Sequence, residues 1–368
     1  MRLNEPGWWY GGADERPGLA ARALVPLLRS LSRLYGRRVE ARFHRRQAYR
    51  SRYPVICVGN FVAGGTGKTP LALLIARLLI ARNGRPVFLS RGYGGHERGP
   101  AWVREGANAA WRFGDEPLLL ARVAPTLVAR DRKAGVQMIE DSGREVTAVI
   151  MDDGLQNPGL VKDLSIAVVD GARGLGNGEV IPAGPLRAPI AFQLGLVDAI
   201  VVREAHAAVS DAPGDEPPSV LSDLRHGFHG PVLAVHAVAD CDTAWLAGAA
   251  VVAFAGIANP ARFFTLVESL GARVVGRVAF PDHHVLTRAD AEHLSGLAET
   301  HTAQLITTEK DWVRLESDER LPDGFAERVR TLPIRLELAE RDLGRLLSLI
   351  EAATLNKIYP RRTRPPQI

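Results

Sequence analysis

The sequence has little cysteine, with only Cys57 and Cys241 among 368 residues. The two thiols lie far apart in the chain, and neither has the spacing of a metal-ligand motif. This scarcity argues against a disulfide-stabilised secreted domain and against a cysteine-rich zinc protein. We therefore expect two reduced core thiols in a cytoplasmic protein.

Long apolar runs are also missing. No stretch reaches the roughly 18 apolar residues of a membrane-spanning helix, and MRLNEPGWWYGGADERPG at the start has no continuous apolar core of a secretory signal. Both absences favour a cytoplasmic location. With 46% apolar and 24% charged residues, the composition still predicts a globular protein of one large or two medium α/β domains.

Positive charge is concentrated at one end of the chain. The formal net charge is +5, yet residues 1–52 contain twelve arginines and four acidic residues, which leaves about −3 for the remainder. This distribution predicts a local anionic partner surface, and it disfavours a protein that coats nucleic acid.

Residues 16–38 have the pattern of a basic amphipathic helix. The rings of Trp8, Trp9 and Tyr10 precede it, and such rings favour a membrane interface. Two interpretations stay open: a helix lying in the lipid headgroup layer, or a surface helix that packs its apolar stripe on the core. Pro26 is expected to kink or break the helix. The apolar face comprises Ala20, Leu24, Leu27, Leu28, Leu31, Leu34 and Tyr35, and the opposite face carries Arg22, Arg29, Arg33 and Arg37.

Short β-branched runs alternate with helical stretches after residue 52. Strands that are apolar throughout and separated by helices indicate a parallel sheet covered on both faces. The polar, Pro-rich segment 210–223 predicts a boundary. The predicted strands cover 54–58, 85–90, 125–130, 145–151, 164–170 and 198–203 before that boundary, and 232–236, 250–255, 272–280, 303–308 and 333–338 after it.

The predicted organisation has four parts. Residues 1–52 form a basic amphipathic N-terminal segment, the candidate for a membrane surface, 53–224 a core with a mainly parallel sheet, 225–345 a second, smaller α/β lobe, and 346–368 a basic C-terminal tail. The fold class is α/β with helices on both faces of the larger sheet, and the phosphate-binding sequence GGTGKT at 64–69 makes it the P-loop NTPase type.

Residues 62–69, VAGGTGKT, lack the first glycine of the phosphate-binding pattern G-x-x-x-x-G-K-[ST], and Val62 stands in its place. The remainder of the motif follows an apolar strand and precedes the apolar helix predicted at 70–82, which is the context that the motif requires. A β-branched residue readily takes the extended backbone needed where the glycine is missing.

The chemistry of this loop follows from its residue types. Gly64, Gly65 and Gly67 let successive backbone N–H groups turn toward one anion, and the following helix adds its positive end. Lys68 can reach the β- and γ-phosphates, and the Thr69 hydroxyl can bind Mg²⁺. The predicted nucleotide-binding residues are Val62, Ala63, Gly64, Gly65, Thr66, Gly67, Lys68 and Thr69.

Two aspartates end a predicted strand. Asp152 and Asp153 follow the apolar run 145–151, at the edge where an open α/β sheet places its ligands. Adjacent side chains of an extended segment point in opposite directions, so only one of the two is expected to face a metal ion directly. An Asp-Gly turn without a ligand is the alternative.

Other candidate groups lie in two loops. Asp115 in FGDEPLLLAR is suited to cap a helix, but a phosphoryl transfer to a hydroxyl also needs a carboxylate that accepts the proton. FPDHHVLT supplies Asp282, His283 and His284, and an Asp-His pair can act as an oriented base or donor in a cleft. Solvent-exposed loop histidines are the alternative.

Two competing classes share parts of this pattern. Dimeric ATPases of the KGGxGK[ST] type carry a lysine directly before the two glycines, where this chain has Ala63. Phosphoesterases of the DHH type need further Asp/His clusters that the sequence does not contain. A membrane-surface P-loop ATPase acting as a partner-regulated switch remains the alternative to a kinase.

Taken together, the motifs resemble those of the tetraacyldisaccharide 4′-kinase family of lipid A biosynthesis, whose phosphate loop also lacks the first glycine. The stretches that carry the resemblance are VGNFVAGGTGKTP (58–70), SRGYGG (90–95), GDEPLLLA (114–121), DDGLQNPGLVKDLSIAVVD (152–170), GNGEVIPAGPLR (176–187), AFAGIANPARFF (253–264), FPDHH (280–284) and TTEKDWVRL (307–315).

The resemblance implies an ATP- and Mg²⁺-dependent transfer of the γ-phosphoryl group to the 4′-hydroxyl of tetraacyldisaccharide 1-phosphate, which forms lipid IVA. It implies that Asp115 is the catalytic base and that His283 assists it from the second lobe. It further implies Thr69, Asp152 and Asp153 at the metal, and Arg91, Asn177 and Arg187 near substrate or phosphates.

The same resemblance bears on location. A substrate with four acyl chains resides in the bilayer, so we expect a peripheral protein at the cytoplasmic face of the inner membrane. The expected partners are this lipid and the membrane surface, with no nucleic acid and no obligate protein partner. One position departs from the family: after PLR the family often has Glu, and this chain has Ala188.

Overall fold

The computed structural model leaves several segments undescribed. The Pro-rich segment predicted at 210–223 and the end of the predicted tail, 359–368, lie outside the described residues, as do the side chains of Ala20, Arg22 and Leu24. The described residues are 6–10, 19–106, 108–204, 224, 227–316, 318 and 320–358.

The chain alternates strands and helices for most of its length. The strands are β1 (Val55–Gly59), β2 (Pro86–Ser90), β3 (Ala101–Trp102), β4 (Thr126–Val128), β5 (Ala148–Asp152), β6 (Leu164–Asp170), β7 (Ala199–Arg203), β8 (Val232–Ala239), β9 (Ala250–Ala255), β10 (Arg273–Ala279), β11 (Gln304–Thr308), β12 (Val329–Leu332) and β13 (Ile334–Glu337). The helices are α1 (Leu19–Arg45), α2 (Lys68–Ile80), α3 (Ala109–Phe113), α4 (Asp115–Ala121), α5 (Arg132–Glu140), α6 (Ile190–Leu194), α7 (Pro260–Ser269), α8 (Arg288–Thr300), α9 (Glu309–Leu315) and α10 (Glu340–Ile358).

The larger sheet has nine strands in the order β13-β8-β7-β6-β1-β5-β2-β4-β3. The seven strands from β8 to β4 run parallel, and β13 and β3 pair antiparallel at the two edges. Every residue of β1, β2, β5 and β6 is buried. This burial explains why these strands are apolar throughout, and it confirms the predicted mainly parallel sheet with both faces covered.

The smaller sheet has four parallel strands in the order β10-β9-β11-β12. Strand β8 falls within the range predicted for the second lobe, yet it pairs with β7 in the larger sheet. Strand β13 also returns to that sheet, beside β8. The smaller lobe is therefore inserted between two strands that are hydrogen-bonded to each other.

Helix α10 covers one face of the larger sheet. Leu346, Ile350 and Ala353 are buried in the same apolar cluster as β1 and β6, and Lys357 Nζ lies 3.2 Å from Asp163 Oδ2. Residues 346–358, predicted as part of a basic tail, are thus helical, because this stretch carries an apolar residue at each turn.

Helix α1 contacts the larger lobe through small residues in its middle and through Phe43 near its end, whose ring packs edge-on against that of Phe192. Ser32 and Gly36 are buried, and a side chain at position 36 would lie 3.1 Å from the ring of Pro189. The helix includes Pro26 within its span instead of ending there. None of the described helices is both long and apolar enough to cross a bilayer.

Candidate active site

The phosphate loop begins with an extended residue instead of a glycine. Val62 is buried and forms an antiparallel bridge with Leu186. The Ala63 N–H donates to Pro185 O at 2.8 Å, and Arg187 Nε donates to Val62 O at 3.0 Å. Because the backbone here pairs with a neighbouring segment, it needs no glycine, as the sequence predicted for Val62.

Glycines appear where the loop turns. Gly64 and Gly67 have φ of 102° and 95°, a left-handed conformation that side chains rarely adopt. Gly67 precedes α2, so the positive end of a 13-residue helix points into the loop. The Thr66 hydroxyl is buried without a hydrogen-bond partner, which is consistent with a loop built around an anion.

A turn near the N-terminus holds this loop from outside. Tyr10 Oη donates to Ala63 O at 3.3 Å, and Trp9 Nε1 donates to Pro182 O at 3.4 Å. Trp9 O also accepts from the Asn177 N–H at 2.8 Å. The rings that the sequence analysis associated with a membrane interface therefore contact the protein itself.

Asp152 and Asp153 have different surroundings, as their position predicted. Asp153 Oδ1 accepts from Arg187 Nη1 at 2.7 Å and lies 3.7 Å from Lys68 Nζ. Burial alone would raise the pKa of Asp153, but Lys68 and Arg187 outweigh it and hold this pKa well below its ordinary value. Its backbone φ of 51° is left-handed, a conformation that non-glycine residues retain mostly at functional sites.

Asp152 is less well compensated than Asp153, because Lys68 and Arg132 lower its pKa by less than its burial raises it. It is buried, and its Oδ1 has no hydrogen-bond partner. Burial, together with the nearby charges of Glu116 and Asp153, raises the pKa of Asp152 to about 7. A buried, unpaired carboxyl oxygen beside the phosphate loop is suited to receive a positive ion.

Asp115 and His283 come together from the two lobes. His283 Nδ1 and Asp115 Oδ2 are 2.9 Å apart, although 168 positions separate the two residues in the chain. Asp115 Oδ2 also accepts from Arg314 Nη1 at 3.0 Å, and Oδ1 accepts from the Glu116 N–H at 2.9 Å. Like Asp153, His283 has a left-handed backbone, with φ of 59°.

The protonation of this pair follows from its contacts. Burial would raise the pKa of Asp115, but Lys310, the hydrogen bond from His283 and the charge of Arg314 lower it well below its ordinary value. An ionised carboxylate only accepts hydrogen bonds, so Nδ1 of His283 carries the ring proton. Nε2 is then the ring nitrogen that accepts a hydrogen bond when the imidazole is neutral.

Two residues of this cluster had no role in the sequence analysis. Lys310 and Arg314 lie in TTEKDWVRL, which carried the family resemblance but no assigned chemistry. Lys310 Nζ lies 3.3 Å from both Glu116 Oε1 and His283 Nε2. Arg314 Nη2 donates to Asp311 Oδ1, and the Asp311 N–H donates to the hydroxyl of Thr308, the N-cap of α9. The motif is recognisable in the sequence, but the carboxylates that pair with Lys310 and Arg314 lie far from it in the chain.

The three residues predicted near substrate differ in how far their side chains are already held by hydrogen bonds within the protein. Arg91 is exposed just after β2. Arg187 is tied to Val62 O and Asp153, as described above. The Asn177 side-chain amide donates to Ala183 O at 3.0 Å, and its oxygen accepts from the Glu179 N–H at 3.1 Å. Asn177 thus shapes its own loop.

Ala188 lies on the loop that follows Arg187. Its side chain is buried, and its carbonyl accepts from Gln193 Nε2 at 2.7 Å. No carboxylate replaces the family's Glu at this position. Among the charged groups that act on Asp152, Glu116 at the start of α4 has the largest effect, and it raises the pKa of Asp152.

A cavity of about 190 Å³ separates the lobes at the carboxyl ends of both sheets. The larger lobe contributes the phosphate loop, Asp170 and Arg203, and the smaller lobe contributes Arg262 and Lys310. Arg262 Nη2 donates to Asp170 Oδ1 across the gap at 2.5 Å. Among the described residues, no group of three or more His, Cys, Asp or Glu side chains forms a self-contained metal site.

Comparison with known proteins extends these observations. The profile of the family described as tetraacyldisaccharide-1-P 4′-kinase matches residues 24–351. A Methylobacterium nodulans protein named tetraacyldisaccharide 4′-kinase is 44% identical over 365 residues, covering 99% of this chain and 100% of that protein. A Paramagnetospirillum magneticum protein of the same name is 47% identical over 298 residues, covering 81% of this chain and 88% of its own.

A solved structure shares the fold. The crystal structure of LpxK from Aquifex aeolicus in complex with ATP has a TM-score of 0.67 and 24% sequence identity to this chain. The match covers 91% of this chain and 100% of that one.

Proposed function

The chain belongs to the tetraacyldisaccharide 4′-kinase family, and from that premise we propose how its own residues carry out the transfer. The protein is a phosphotransferase of lipid A biosynthesis that acts on the 4′-hydroxyl of tetraacyldisaccharide 1-phosphate. The phosphoryl donor is ATP, and the phosphate-binding segment is the loop of residues 62–69.

Binding of the triphosphate is supported by the geometry of this loop. Gly65, the left-handed Gly67 and Lys68 at the start of α2 all line one cavity. Backbone N–H groups and a lysine ammonium recognise phosphate oxygens without reference to the base. The apolar side chains of the smaller lobe on the other wall, including Phe263 and Leu266, suit the nucleobase.

The residues present fit a magnesium ion. Thr69 offers a hydroxyl, and Asp152 offers a buried carboxyl oxygen that has no other partner. Mg²⁺ is usually held by one or two carboxylates together with substrate phosphates and water, so a three-carboxylate cluster is not required. When bound, the ion would neutralise charge on the β- and γ-phosphates. Asp153, already paired with Arg187 and Lys68, would orient the loop instead.

The proton of the acceptor hydroxyl goes to His283 in this proposal, which differs from the sequence-based assignment of Asp115. Asp115 is only 3% exposed, both of its oxygens accept hydrogen bonds, and its pKa is lowered. It is therefore a weak and inaccessible base. As the partner of Nδ1, it fixes the ring so that Nε2 is the accepting atom.

The phosphoryl transfer is an in-line displacement. The 4′-oxygen forms a bond to the γ-phosphorus, the bond from that phosphorus to the bridging oxygen of ADP breaks, and the hydroxyl proton passes to Nε2 of His283. Arg314 and the carboxylate of Asp115 hold the imidazole between the lobes. Arg91, exposed at the carboxyl end of β2, and Arg187 are placed for anionic groups of the substrates.

Helix α1 supports a peripheral location at the membrane surface. Four side chains of the predicted apolar face, Leu27, Leu31, Leu34 and Tyr35, are between 44% and 58% exposed, because the helix contacts the protein through Ser32 and Gly36. Exposed leucines beside arginines on one helix suit the headgroup layer of an anionic membrane. We assign this surface to the cytoplasmic face of the inner membrane, where the lipid acceptor would be reached.

The observation that carries the mechanism is the 2.9 Å contact between His283 and Asp115 beside the phosphate loop. The test is a transfer assay with γ-labelled ATP, Mg²⁺ and tetraacyldisaccharide 1-phosphate in mixed micelles. Label is expected in the lipid, and His283→Gln and Lys68→Ala are each expected to abolish it. Label found only in free phosphate would instead support the switch ATPase, and full transfer by His283→Gln would remove His283 from the proton step.

A further inference from the structure

Lys310 occupies the space in front of the atom assigned to accept the proton. Its Nζ lies 3.3 Å from His283 Nε2, and the same side chain lines the cavity that contains Lys68 and Thr69. Since Nδ1 of the ring carries the proton, the lone pair of Nε2 accepts a hydrogen bond from the Lys310 ammonium. In this arrangement the lone pair is not available to a substrate hydroxyl.

The ammonium is held there by carboxylates from both lobes. Lys310 Nζ lies 3.3 Å from Glu116 Oε1, 3.5 Å from Asp282 Oδ1 and 3.9 Å from Asp115 Oδ2. Burial opposes its charge, but these three carboxylates outweigh burial and raise the pKa of Lys310. Lys310 is therefore a positive charge placed between the phosphate cavity and the imidazole.

We propose that Lys310 is a positioning residue that couples the nucleotide to the base: its ammonium donates a hydrogen bond to His283 Nε2 and transfers this hydrogen bond to the terminal phosphoryl group when ATP binds. This inference rests on the proposed function, because it assigns the proton to Nε2. A lysine ammonium has three rotatable donors on a flexible stem, so it can exchange one acceptor for another without moving the helix that carries it.

The arrangement links two events in order. A terminal phosphoryl group offers Lys310 a stronger, charged acceptor than a neutral imidazole. Once the ammonium has turned toward it, Nε2 is open to the 4′-hydroxyl. The base is thus uncovered only when there is a phosphoryl group to transfer, and the same lysine then lies against the group that reacts.

The titration of His283 reports this coupling directly. A cation close to an imidazole lowers its pKa, so withdrawal of the Lys310 charge raises it. Three charged groups lie directly against His283: Asp115 from α4, Lys310 from α9 and Asp282 from its own loop. Arg314 from α9 acts through Asp115, and the ring of Tyr93, from the loop after β2, lies beside the imidazole.

The experiment is an NMR titration of the imidazole of His283 in the full chain, labelled at histidine and assigned with His283→Gln. It is run with and without β,γ-methylene-ATP and Mg²⁺, in wild type and in Lys310→Met. Without nucleotide, the pKa of His283 is expected to be about one unit higher in Lys310→Met than in wild type. The analogue is expected to raise the pKa of the wild type by a similar amount and that of the variant by clearly less.

A matched control is available in Lys357→Met, since Lys357 is a comparably buried lysine paired with Asp163 away from the site. It is expected to leave the titration of His283 as in wild type. Equal pKa values for wild type and Lys310→Met without nucleotide, or equal shifts on adding the analogue, would overturn the inference. The wild-type comparison with and without the analogue needs no variant and stands if Lys310→Met fails to fold.

The transfer assay separates this inference from the function on which it rests. If label reaches the lipid but the titration of His283 does not depend on Lys310 or nucleotide, only the inference fails. If label reaches free phosphate alone, the proposed function fails, and with it the reason for covering Nε2.

Discussion

At the scale of single residues, the site is a set of charges balanced across two lobes. The carboxylates of Asp115, Glu116 and Asp282 surround Lys310, and Arg314 completes the contacts of Asp115. The buried Oδ1 of Asp152 has no hydrogen-bond partner. A cation beside the phosphate loop would complete this set of charges.

Asp115→Asn tests the role of the carboxylate through pH. The asparagine keeps an oxygen for Nδ1 of His283 but removes the negative charge that favours imidazolium, so the pKa of the ring falls. The acid limb of kcat/KM for the lipid is expected to move to lower pH, and kcat to fall about 100-fold or more. The measurement is a pH series of the transfer assay in mixed micelles.

The neighbouring pair supplies the control for that experiment. His284 Nε2 lies 2.9 Å from Asp290 Oδ2, so Asp290→Asn removes a carboxylate from a histidine outside the proposed proton path. Its acid limb is expected to coincide with that of wild type. An acid limb that stays in place in Asp115→Asn would show that His283 is not the titrating group.

Val62→Gly restores the glycine that the phosphate-loop pattern lacks. Because Val62 is buried and bridged to Leu186, the substitution is expected to lower the free energy of unfolding by about 2–3 kcal/mol. The KM for ATP is expected to stay within about threefold, since the phosphate-facing glycines are unchanged. Urea unfolding and initial rates measure the two quantities. A lower KM at unchanged stability would mean that the missing glycine limits the loop.

At the scale of secondary-structure elements, α1 presents its leucines outward while small residues face the protein. For the described part of the helix, this division supports the proposed contact with lipid over the packing of the apolar stripe on the core. Leu27, Leu31 and Leu34 do not cover the core, and none of the three packs in a buried cluster. An apolar stripe that the protein itself leaves uncovered is available to lipid.

The double substitution Leu31→Asn and Leu34→Asn tests that surface. Loss of two leucines from the headgroup layer is expected to weaken binding to anionic vesicles about tenfold or more. Thermal unfolding is expected to be unchanged, because both side chains are exposed. Vesicle cosedimentation measures the binding. Leu355→Asn, on the exposed face of α10, is the control, and equal binding by the two variants would argue against α1 as the contact.

Much of this element structure is predictable from sequence because burial leaves a local pattern. Apolar runs mark the central strands, and β5 ends at Asp152, one residue beyond the predicted run 145–151. Strands β3 and β12 escape such an analysis, since Ala101–Trp102 and Val329–Leu332 are too short or too polar to stand out. The placement of β8 in the larger sheet depends on pairing with β7 and β13, which no local pattern encodes.

The same distinction applies to the site. The residues of the phosphate loop, the two aspartates at the end of β5 and the pair formed by Asp115 and His283 follow from motifs. The role of Lys310 does not, because its partners come from three separate segments. Nor does the sequence reveal that Asp115 is enclosed by hydrogen bonds, which moves the proposed base from the carboxylate to His283.

At the scale of the whole molecule, the two lobes meet over a cavity smaller than the roughly 300–1,000 Å³ of most ligand pockets. The lobes also contact each other through the pair of Arg262 and Asp170, and through Val313, which packs with Phe113 and Leu118. We infer that the smaller lobe moves away to admit the nucleotide and returns over it.

Arg262→Ala tests the contact between the lobes. Asp170 would keep its backbone partners but lose the only cation placed against it across the gap in the described structure. The free energy of unfolding is expected to fall by about 1–3 kcal/mol, and the radius of gyration in X-ray scattering to rise. Arg328→Ala, which removes an exposed pair within the smaller lobe, is expected to change neither. Equal effects of the two variants would contradict a role in holding the lobes together.

The adjacency of β8 and β13 has a consequence for how this chain can be cut and rejoined. The Asp240 N–H donates to Pro333 O at 2.8 Å, so the smaller lobe leaves and re-enters the larger one at points a single hydrogen bond apart. A tight hairpin turn could bridge that gap. The smaller lobe can thus be removed as a unit. Replacing residues 241–332 with Asn-Gly is expected to leave an α/β core that unfolds cooperatively in circular dichroism and is less stable because Val313 is lost. Such a core would retain the phosphate loop and lack the base. The smaller lobe of a relative could then be joined at the same two points, which would change the proton acceptor independently of the phosphate loop.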